Sequence, residues 1–133
     1  MKTKYRNIAF LAELIVNILV FSIACAFLML VFGKASEMTR ETREKSFAST
    51  NTLALVETVR LAAPDARGEE TLVYTYDENW QATESASPAF TIRLTLHYQA
   101  SGAGTLTYID ASAHNRAGQE LYTLSTASYR PAP

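Results

Sequence analysis

The residue whose position says most about chemistry is Glu13, a carboxylate inside the apolar run IAFLAELIVNILVFSIACAFLMLVF at residues 8–32. An ionisable group at membrane depth is costly unless it lies near the interface or has a partner. Two interpretations stay open. Glu13 either reaches the headgroup zone or accepts a hydrogen bond from Asn17, one helical turn on, or it awaits a cation from another subunit, such as a free α-amino group. The second arrangement would fix the axial register between neighbouring helices.

Elsewhere the sequence offers little that could catalyse a reaction or hold a metal ion. His97 falls on the polar face of a strand pattern and His114 at a turn, so both are expected in solvent. Asp77, Glu78 and Asp110 are too sparse for a calcium loop, and the sequence contains no nucleophile elbow and no glycine-rich phosphate loop. We therefore predict no catalytic residue, no cofactor site and no metal site, which indicates a protein that is not an enzyme.

The charge balance argues against one class of partner. The 133 residues include 13 acidic and 12 basic side chains, so the formal net charge is −1 with neutral histidine. Nucleic-acid-binding domains need a surplus of basic side chains, so no nucleic-acid partner is expected. The single cysteine, Cys25, excludes an internal disulfide. Its apolar neighbours indicate a small residue of the apolar run rather than an acylation site.

The apolar run predicts a transmembrane helix over residues 8–33. A helix of this length reaches ~37 Å, enough to cross a hydrocarbon core of ~30 Å. The preceding leader, residues 1–7, carries only basic charges, at Lys2, Lys4 and Arg6. By the positive-inside rule the N-terminus is expected in the cytoplasm. The sequence thus predicts a single-pass protein of the cell membrane, in contact with the lipid bilayer and with its C-terminal domain outside.

The start AFLAEL, the early glutamate, the long unbroken apolar helix and its continuation into an amphipathic helix together resemble type IV pilins and pseudopilins. The resemblance covers residues 10–63, and small type II secretion or competence-type pseudopilins are the most similar. It implies that Glu13 neutralises the N-terminal amine of an adjacent subunit during assembly. It also implies other pilin-like subunits as partners through the N-terminal helix, together with prepilin peptidase and assembly-platform proteins.

The leader departs from the pattern of that family. Prepilin peptidase typically cuts after a glycine, and the alignment places Ile8 where that glycine stands and makes Ala9 the first mature residue. No glycine precedes Gly33 in this sequence. Ile8 and Ala9 therefore mark a candidate processing point in a non-standard leader. Whether the leader is removed there or kept stays open.

Beyond the apolar run, two segments of different periodicity follow. Residues 34–63 are good helix formers whose apolar positions recur near helical spacing, which predicts an extracytoplasmic amphipathic helix that docks on a sheet and ends before Pro64. Residues 64–133 show a period of two, with strands expected at 71–76, 90–99, 105–113 and 120–129. In the third strand Leu106, Tyr108 and Ile109 are expected to face inward. The predicted fold class is α+β, a long helix packed on a four-stranded antiparallel sheet.

Two functional hypotheses follow. The first is a structural pseudopilin-like subunit of a type II secretion or type IV pilus-like assembly, anchored in the membrane with an external β domain. The alternative is a single-pass, membrane-tethered binding module that is not incorporated in a filament. Replacing Glu13 separates them, because only the first hypothesis requires that carboxylate for association.

Overall fold

The computed structural model describes residues 2–62 and 68–132, with side chains from Tyr5 onward. It contains one α-helix followed by four β-strands, so the α+β prediction is confirmed. The predicted helix end at Ala63 and Pro64 lies outside the described residues. The elements are α1 (Lys2–Ala62), β1 (Gly68–Tyr76), β2 (Phe90–Ser101), β3 (Gly104–Asn115) and β4 (Glu120–Pro131).

Helix α1 is uninterrupted because no proline occurs within it and its single glycine is Gly33. The chain divides into two compact units, one up to Glu41 and one from Thr42. The first unit is helix alone. The second contains the remainder of α1 and the whole sheet, so the helix residues 42–62 belong to the same unit as the strands.

The sheet is an antiparallel meander in the order β1-β2-β3-β4. Short turns join β2 to β3 and β3 to β4, whereas the longer loop of residues 77–89 connects β1 to β2. One face of the sheet packs on the part of α1 that belongs to the second unit and forms the core with it. The core side chains of the sheet include Ile92, Leu94 and Leu96 of β2 and Ile109, Ala111 and Ala113 of β3, and those of the helix are Ala48 and Val56.

The expected orientation of β3 was right for Ile109 and wrong for two residues. Tyr108 is 44% exposed and Leu106 lies on the same outer side, whereas Ile109 is 1% exposed. Ala111 and Ala113 complete the inner face of the strand. Two of the three core residues of β3 are therefore small, and the large side chains of Leu106 and Tyr108 lie on the other face.

Strand β4 begins with a bulge that decides which of its faces is inward. The register shifts beside Ala113, which pairs with Tyr122, while His114 pairs with Glu120. Leu121 is the additional residue between these pairs and is 7% exposed. A bulge inserts one residue without a partner and bends the strand. From Tyr122 onward the even-numbered positions therefore face the helix.

One polar group in the core has no partner. Thr52 of α1 is 0% exposed, and its Oγ1 makes no hydrogen bond to any described residue. Thr50 and Thr58, on the outer side of the same helix, donate their hydroxyls to carbonyls one turn earlier, at Ser46 and Ala54. A buried hydroxyl without a hydrogen bond costs free energy of folding.

Replacing Thr52 with valine is therefore expected to raise the free energy of unfolding by about 1 kcal/mol, since valine has the same shape without the unpaired hydroxyl. Chemical denaturation of the full chain in detergent, followed by circular dichroism, measures the change. The matched control is Thr50→Val, which removes a hydroxyl that has a hydrogen-bond acceptor and is expected to give no gain. Equal effects of the two substitutions would contradict the assignment of a cost to Thr52.

Candidate functional site

The carboxylate singled out in the sequence lies on the exposed surface of α1. Glu13 is surrounded by helical apolar residues, and none of the described side chains forms a hydrogen bond or ion pair with it. Asn17 is one turn further along the helix, on nearly the same face. The structure contains no hydrogen bond between these two side chains. Within the described part of the chain, the carboxylate and the amide are both left without a partner.

The helix around Glu13 presents apolar side chains that no described residue covers. Among the described residues one helix, Tyr5–Ala62, is long enough and apolar enough to cross a membrane, and its most apolar window is 0% buried. Exposed members include Phe10, Leu14, Phe21, Phe27, Leu30 and Phe32. This surface matches a hydrocarbon environment and is compatible with a single-pass membrane protein.

Besides Glu13 and Asn17, the third polar group of the apolar run, Ser22, has a local partner. The Ser22 hydroxyl donates to the carbonyl oxygen of Ile18 at 2.8 Å. After the apolar run, the Lys34 ammonium donates to the Glu37 carboxylate at 2.9 Å, and both side chains are largely exposed. Cys25 is a free thiol, partly exposed on the helix. Glu13 therefore stands out as the ionisable group of the apolar run that has no partner.

The candidate processing point lies within regular helix. Ile8 and Ala9 are both exposed residues of α1, several turns before the first unit ends. No side chain of the described part of the chain covers either residue. The peptide bond between them is part of the regular helix, and both side chains are exposed.

In the second unit, an aromatic stack joins the helix to the sheet. Trp80 lies 4.1 Å from Phe90 between ring centroids and nearly parallel to it, and Phe47 of α1 stacks on the indole at 6.4 Å. The Arg43 guanidinium lies 5.7 Å from the Phe47 ring. Tyr76 packs against the indole from β1. Stacked rings and a cation over a ring contribute beyond the area that they bury, so this stack fixes α1 against one end of the sheet.

Trp80 has a backbone conformation that residues other than glycine rarely adopt. Its φ is 58°, in the left-handed region, as is that of Gly118 at 79°. The two residues occupy equivalent positions in two loops of the same geometry. In one loop the Asp77 Oδ1 accepts from the amides of Asn79 and Gln81, and in the other the Asn115 Oδ1 accepts from the amides of Ala117 and Gln119. The position that glycine fills in the second loop holds tryptophan in the first.

These loops were not predicted as a pair from the sequence. The signal was present, since an Asp or Asn is followed four residues later by Gln in both DENWQ and NRAGQ. The two loops lie at the same end of the sheet because Tyr76 pairs with Phe90 and Phe90 pairs with Asn115. The Glu78 carboxylate and the Arg116 guanidinium bridge the loops at 3.8 Å between highly exposed side chains. This pair contributes little to stability, because exposed ion pairs are weak.

A second polar region, also missed from the sequence, lies on the outer face of the sheet. A shallow cleft of about 460 Å³ is lined by His97, Tyr108, Asp110, Ser125, Thr126 and Ala127. The Ser125 hydroxyl donates to Asp110 Oδ1 at 2.5 Å, and His97 Nδ1 lies 3.9 Å from a carboxylate oxygen of Glu69. The serine therefore points to an acid rather than to the histidine. Nucleophilic catalysis requires the serine to be hydrogen-bonded to its base.

One tyrosine on the inner face of the sheet, Tyr98, has a phenol with a shifted pKa. Partial burial raises the pKa of the Tyr98 phenol. The Tyr98 hydroxyl also donates a hydrogen bond to the Glu70 carboxylate at 3.4 Å, and the negative charge of Glu70 raises that pKa further. The tyrosine thus stays neutral and acts as a hydrogen-bond donor. Within the described ranges, no cluster of three or more His, Cys, Asp or Glu side chains is placed to hold a metal ion.

Comparisons with protein-family models, curated proteins and solved structures found no match for this chain.

Proposed function

We propose that the chain is a structural, pseudopilin-like subunit of a type II secretion or type IV pilus-like assembly. The observation that carries the proposal is the unpartnered carboxylate of Glu13 on an uncovered apolar helix. A carboxylate in such a surface is tolerated when a partner molecule supplies the compensating charge or hydrogen bond. In this proposal the partner is the N-terminal helix of another pilin-like subunit, and the sheet faces outward from the cell membrane with the N-terminus in the cytoplasm.

The helix surface of the second unit supports the same proposal. Leu53 and Leu61 are 46% and 79% exposed on the side of α1 that faces away from the sheet. Large apolar side chains that remain uncovered on a monomer often mark contacts with other proteins. Helix contacts that begin around Glu13 would thus continue along α1 beyond the apolar run. Prepilin peptidase and assembly-platform proteins are the further partners in this proposal, with the peptide bond between Ile8 and Ala9 as the processing point.

The test uses the native thiol. Every copy carries Cys25 and no other cysteine, so oxidation can join only two different copies. Oxidation of isolated membranes that contain the full chain is expected to give a disulfide-linked dimer, and a Cys25→Ser variant is expected to give none. If the chain remains monomeric at expression levels where its integration is complete, helix association is not its function.

The alternative, a membrane-tethered binding module, has one observation in its favour. The outer cleft between His97, Tyr108 and Asp110 combines an aromatic ring with hydrogen-bonding groups, as small-ligand sites do. Its shallow form offers little burial for a ligand, so the assembly subunit is the better supported function. A binding module would also keep its activity when Glu13 is replaced.

A further inference from the structure

The outer cleft of the sheet has a shape that follows from the strand register. Tyr108 of β3 lies opposite Ala127 of β4, and Asp110 of β3 lies opposite Ser125 of β4. In both pairs the larger side chain belongs to β3 and the smaller one to β4, which is the last strand in the sheet order. The small side chains leave a depression of about 460 Å³ beside the larger ones. His97 of β2, which lies opposite Tyr108 on its other side, also lines the cleft.

The Tyr108 side chain is the aromatic surface of this cleft. It is 44% exposed, and no described residue forms a ring contact or a hydrogen bond with it. Tyr129, a second exposed tyrosine of the same face, donates its hydroxyl to the carbonyl oxygen of Ala103 at 2.7 Å. Tyr108 therefore differs from Tyr129, because both its ring and its hydroxyl are available to a ligand.

The polar groups around this ring are a carboxylate, hydroxyls and an imidazole. The Ser125 hydroxyl donates to Asp110 Oδ1 at 2.5 Å, and no described residue donates to Asp110 Oδ2. His97 Nδ1 lies 3.9 Å from a carboxylate oxygen of Glu69, which leaves Nε2 as the ring nitrogen for a ligand. No lysine or arginine lines the cleft. The cleft thus combines hydrogen-bond acceptors and donors with a negative charge.

These groups argue against several classes of ligand. The Asp110 carboxylate repels an anion, and no basic side chain of the cleft compensates for this repulsion. Within the described ranges, no cluster of side chains is placed to hold a metal ion. An apolar ligand would remove the carboxylate from water without giving it a hydrogen bond, which is costly. A quaternary ammonium ion suits the ring and the charge but cannot hydrogen-bond to Asp110 or His97.

We propose that the cleft binds a neutral saccharide through one pyranose ring. The axial C–H groups of a β-linked glucose unit form a flat apolar face, and the negative face of an aromatic ring attracts such weakly positive hydrogens. The equatorial hydroxyls at the edge of the sugar donate to carboxylates and accept from N–H or O–H groups. Tyr108 provides the ring, Asp110 Oδ2 provides the acceptor, and His97 Nε2 provides a further hydrogen-bonding atom.

The shallow form of the cleft agrees with this class of ligand. A saccharide stacked on Tyr108 buries one face and keeps the other face and most of its hydroxyls in water, so it needs no deep pocket. Because little surface is buried, we expect weak binding, with a dissociation constant on the order of 1 mM. The site belongs to the sheet alone and does not depend on the helix association of the proposed function.

The test is saturation-transfer NMR of cellotriose with the full chain in a polyoxyethylene detergent, because glycoside detergents carry a competing sugar. The unmodified chain is expected to give saturable transfer to the sugar C–H protons. Tyr108→Ala is expected to weaken binding about tenfold, whereas Tyr108→Phe keeps the ring and most of the binding. The matched control is Leu106→Ala, which removes an apolar side chain of the same face outside the cleft and is expected to change nothing.

A second pair of variants tests the position of the ligand without removing a binding group. Ala127→Leu fills the depression beside Tyr108 and is expected to weaken binding about tenfold through a clash with the sugar. Thr123→Leu places the same side chain on the same face of β4, outside the cleft, and is expected to leave binding unchanged. Ala127 and Thr123 are both exposed, so neither substitution disturbs the core, and circular dichroism checks that each variant is folded.

Three results would overturn the inference. The first is no saturable transfer to cellotriose at concentrations well above the expected dissociation constant. The second is binding that survives both Tyr108→Ala and Ala127→Leu, because the sugar then lies elsewhere. The third is binding of tetramethylammonium without binding of cellotriose, which indicates a cation site. The Cys25 disulfide reports separately on helix association, so failure of saccharide binding is distinguishable from failure of the proposed function.

Discussion

Replacement of Glu13 by alanine is expected to reduce the Cys25 disulfide-linked dimer on the order of tenfold, while the chain still integrates into membranes. Polar contacts between helices in lipid contribute about 1–2 kcal/mol, and 1.4 kcal/mol corresponds to about tenfold in association. Integration is expected to improve slightly, because the substitution removes a charge from the apolar run. Alkaline extraction of membranes measures integration, and quantified oxidation measures association.

Glu13→Gln separates charge from hydrogen bonding at this position. Glutamine keeps the size and the hydrogen-bonding oxygen but cannot neutralise a cation, so it is expected to lose as much association as alanine. The matched control is Glu37→Gln, which removes a carboxylate of the same helix that lies outside the apolar run and pairs with Lys34. If glutamine at position 13 associates as well as glutamate does, the partner of Glu13 is not cationic.

Replacement of Trp80 by alanine is expected to lower the free energy of unfolding of the second unit by about 3 kcal/mol, near the lower end of the range for truncated aromatic side chains, because the indole is only partly buried. The indole contacts Phe47, Phe90 and Tyr76, so its loss removes the stack that joins α1 to the sheet. Denaturant titration of the full chain in detergent, followed by circular dichroism, measures the change.

Trp80→Gly is expected to be less harmful than Trp80→Ala by about 1 kcal/mol, because glycine adopts the left-handed conformation without strain. Gly118→Ala provides the matched control. Its Cβ would meet nothing within 4 Å, so it isolates the strain of a side chain at the equivalent loop position, where φ is 79°. The difference between the two Trp80 variants should equal the loss caused by Gly118→Ala. Alanine and glycine of equal stability at position 80 would contradict the strain argument.

The class of fold was accessible from the sequence because each element has its own period. The uninterrupted apolar run and the alternation FTIRLTLHYQ fix a helix and a half-buried strand by short-range pattern alone. The orientation of β3 was not accessible in the same way. Its buried positions are the small residues Ala111 and Ala113, and only the pairing with Leu94 and Ile92 shows which parity faces the helix.

For the candidate site too, some features follow from the sequence pattern alone and others only from the pairing of strands. Glu13 was identified because a carboxylate in an apolar run is exceptional whatever the tertiary fold of the chain. The outer cleft was not, because its lining residues come from three strands and meet only through the register of the sheet. The bulge at Leu121 was missed for a related reason, since an additional residue in a strand appears only when the partner strand is aligned beside it.

Trp80 is the single tryptophan of the chain and lies between α1 and β2. Its intrinsic fluorescence is therefore an optical probe that needs no label. When the indole is excited selectively at the long-wavelength edge of the protein absorption, the emission reports the environment of Trp80, between helix and sheet. The emission maximum and its quenching by acrylamide would show whether that junction stays closed when copies associate, in the same samples that are used for cross-linking.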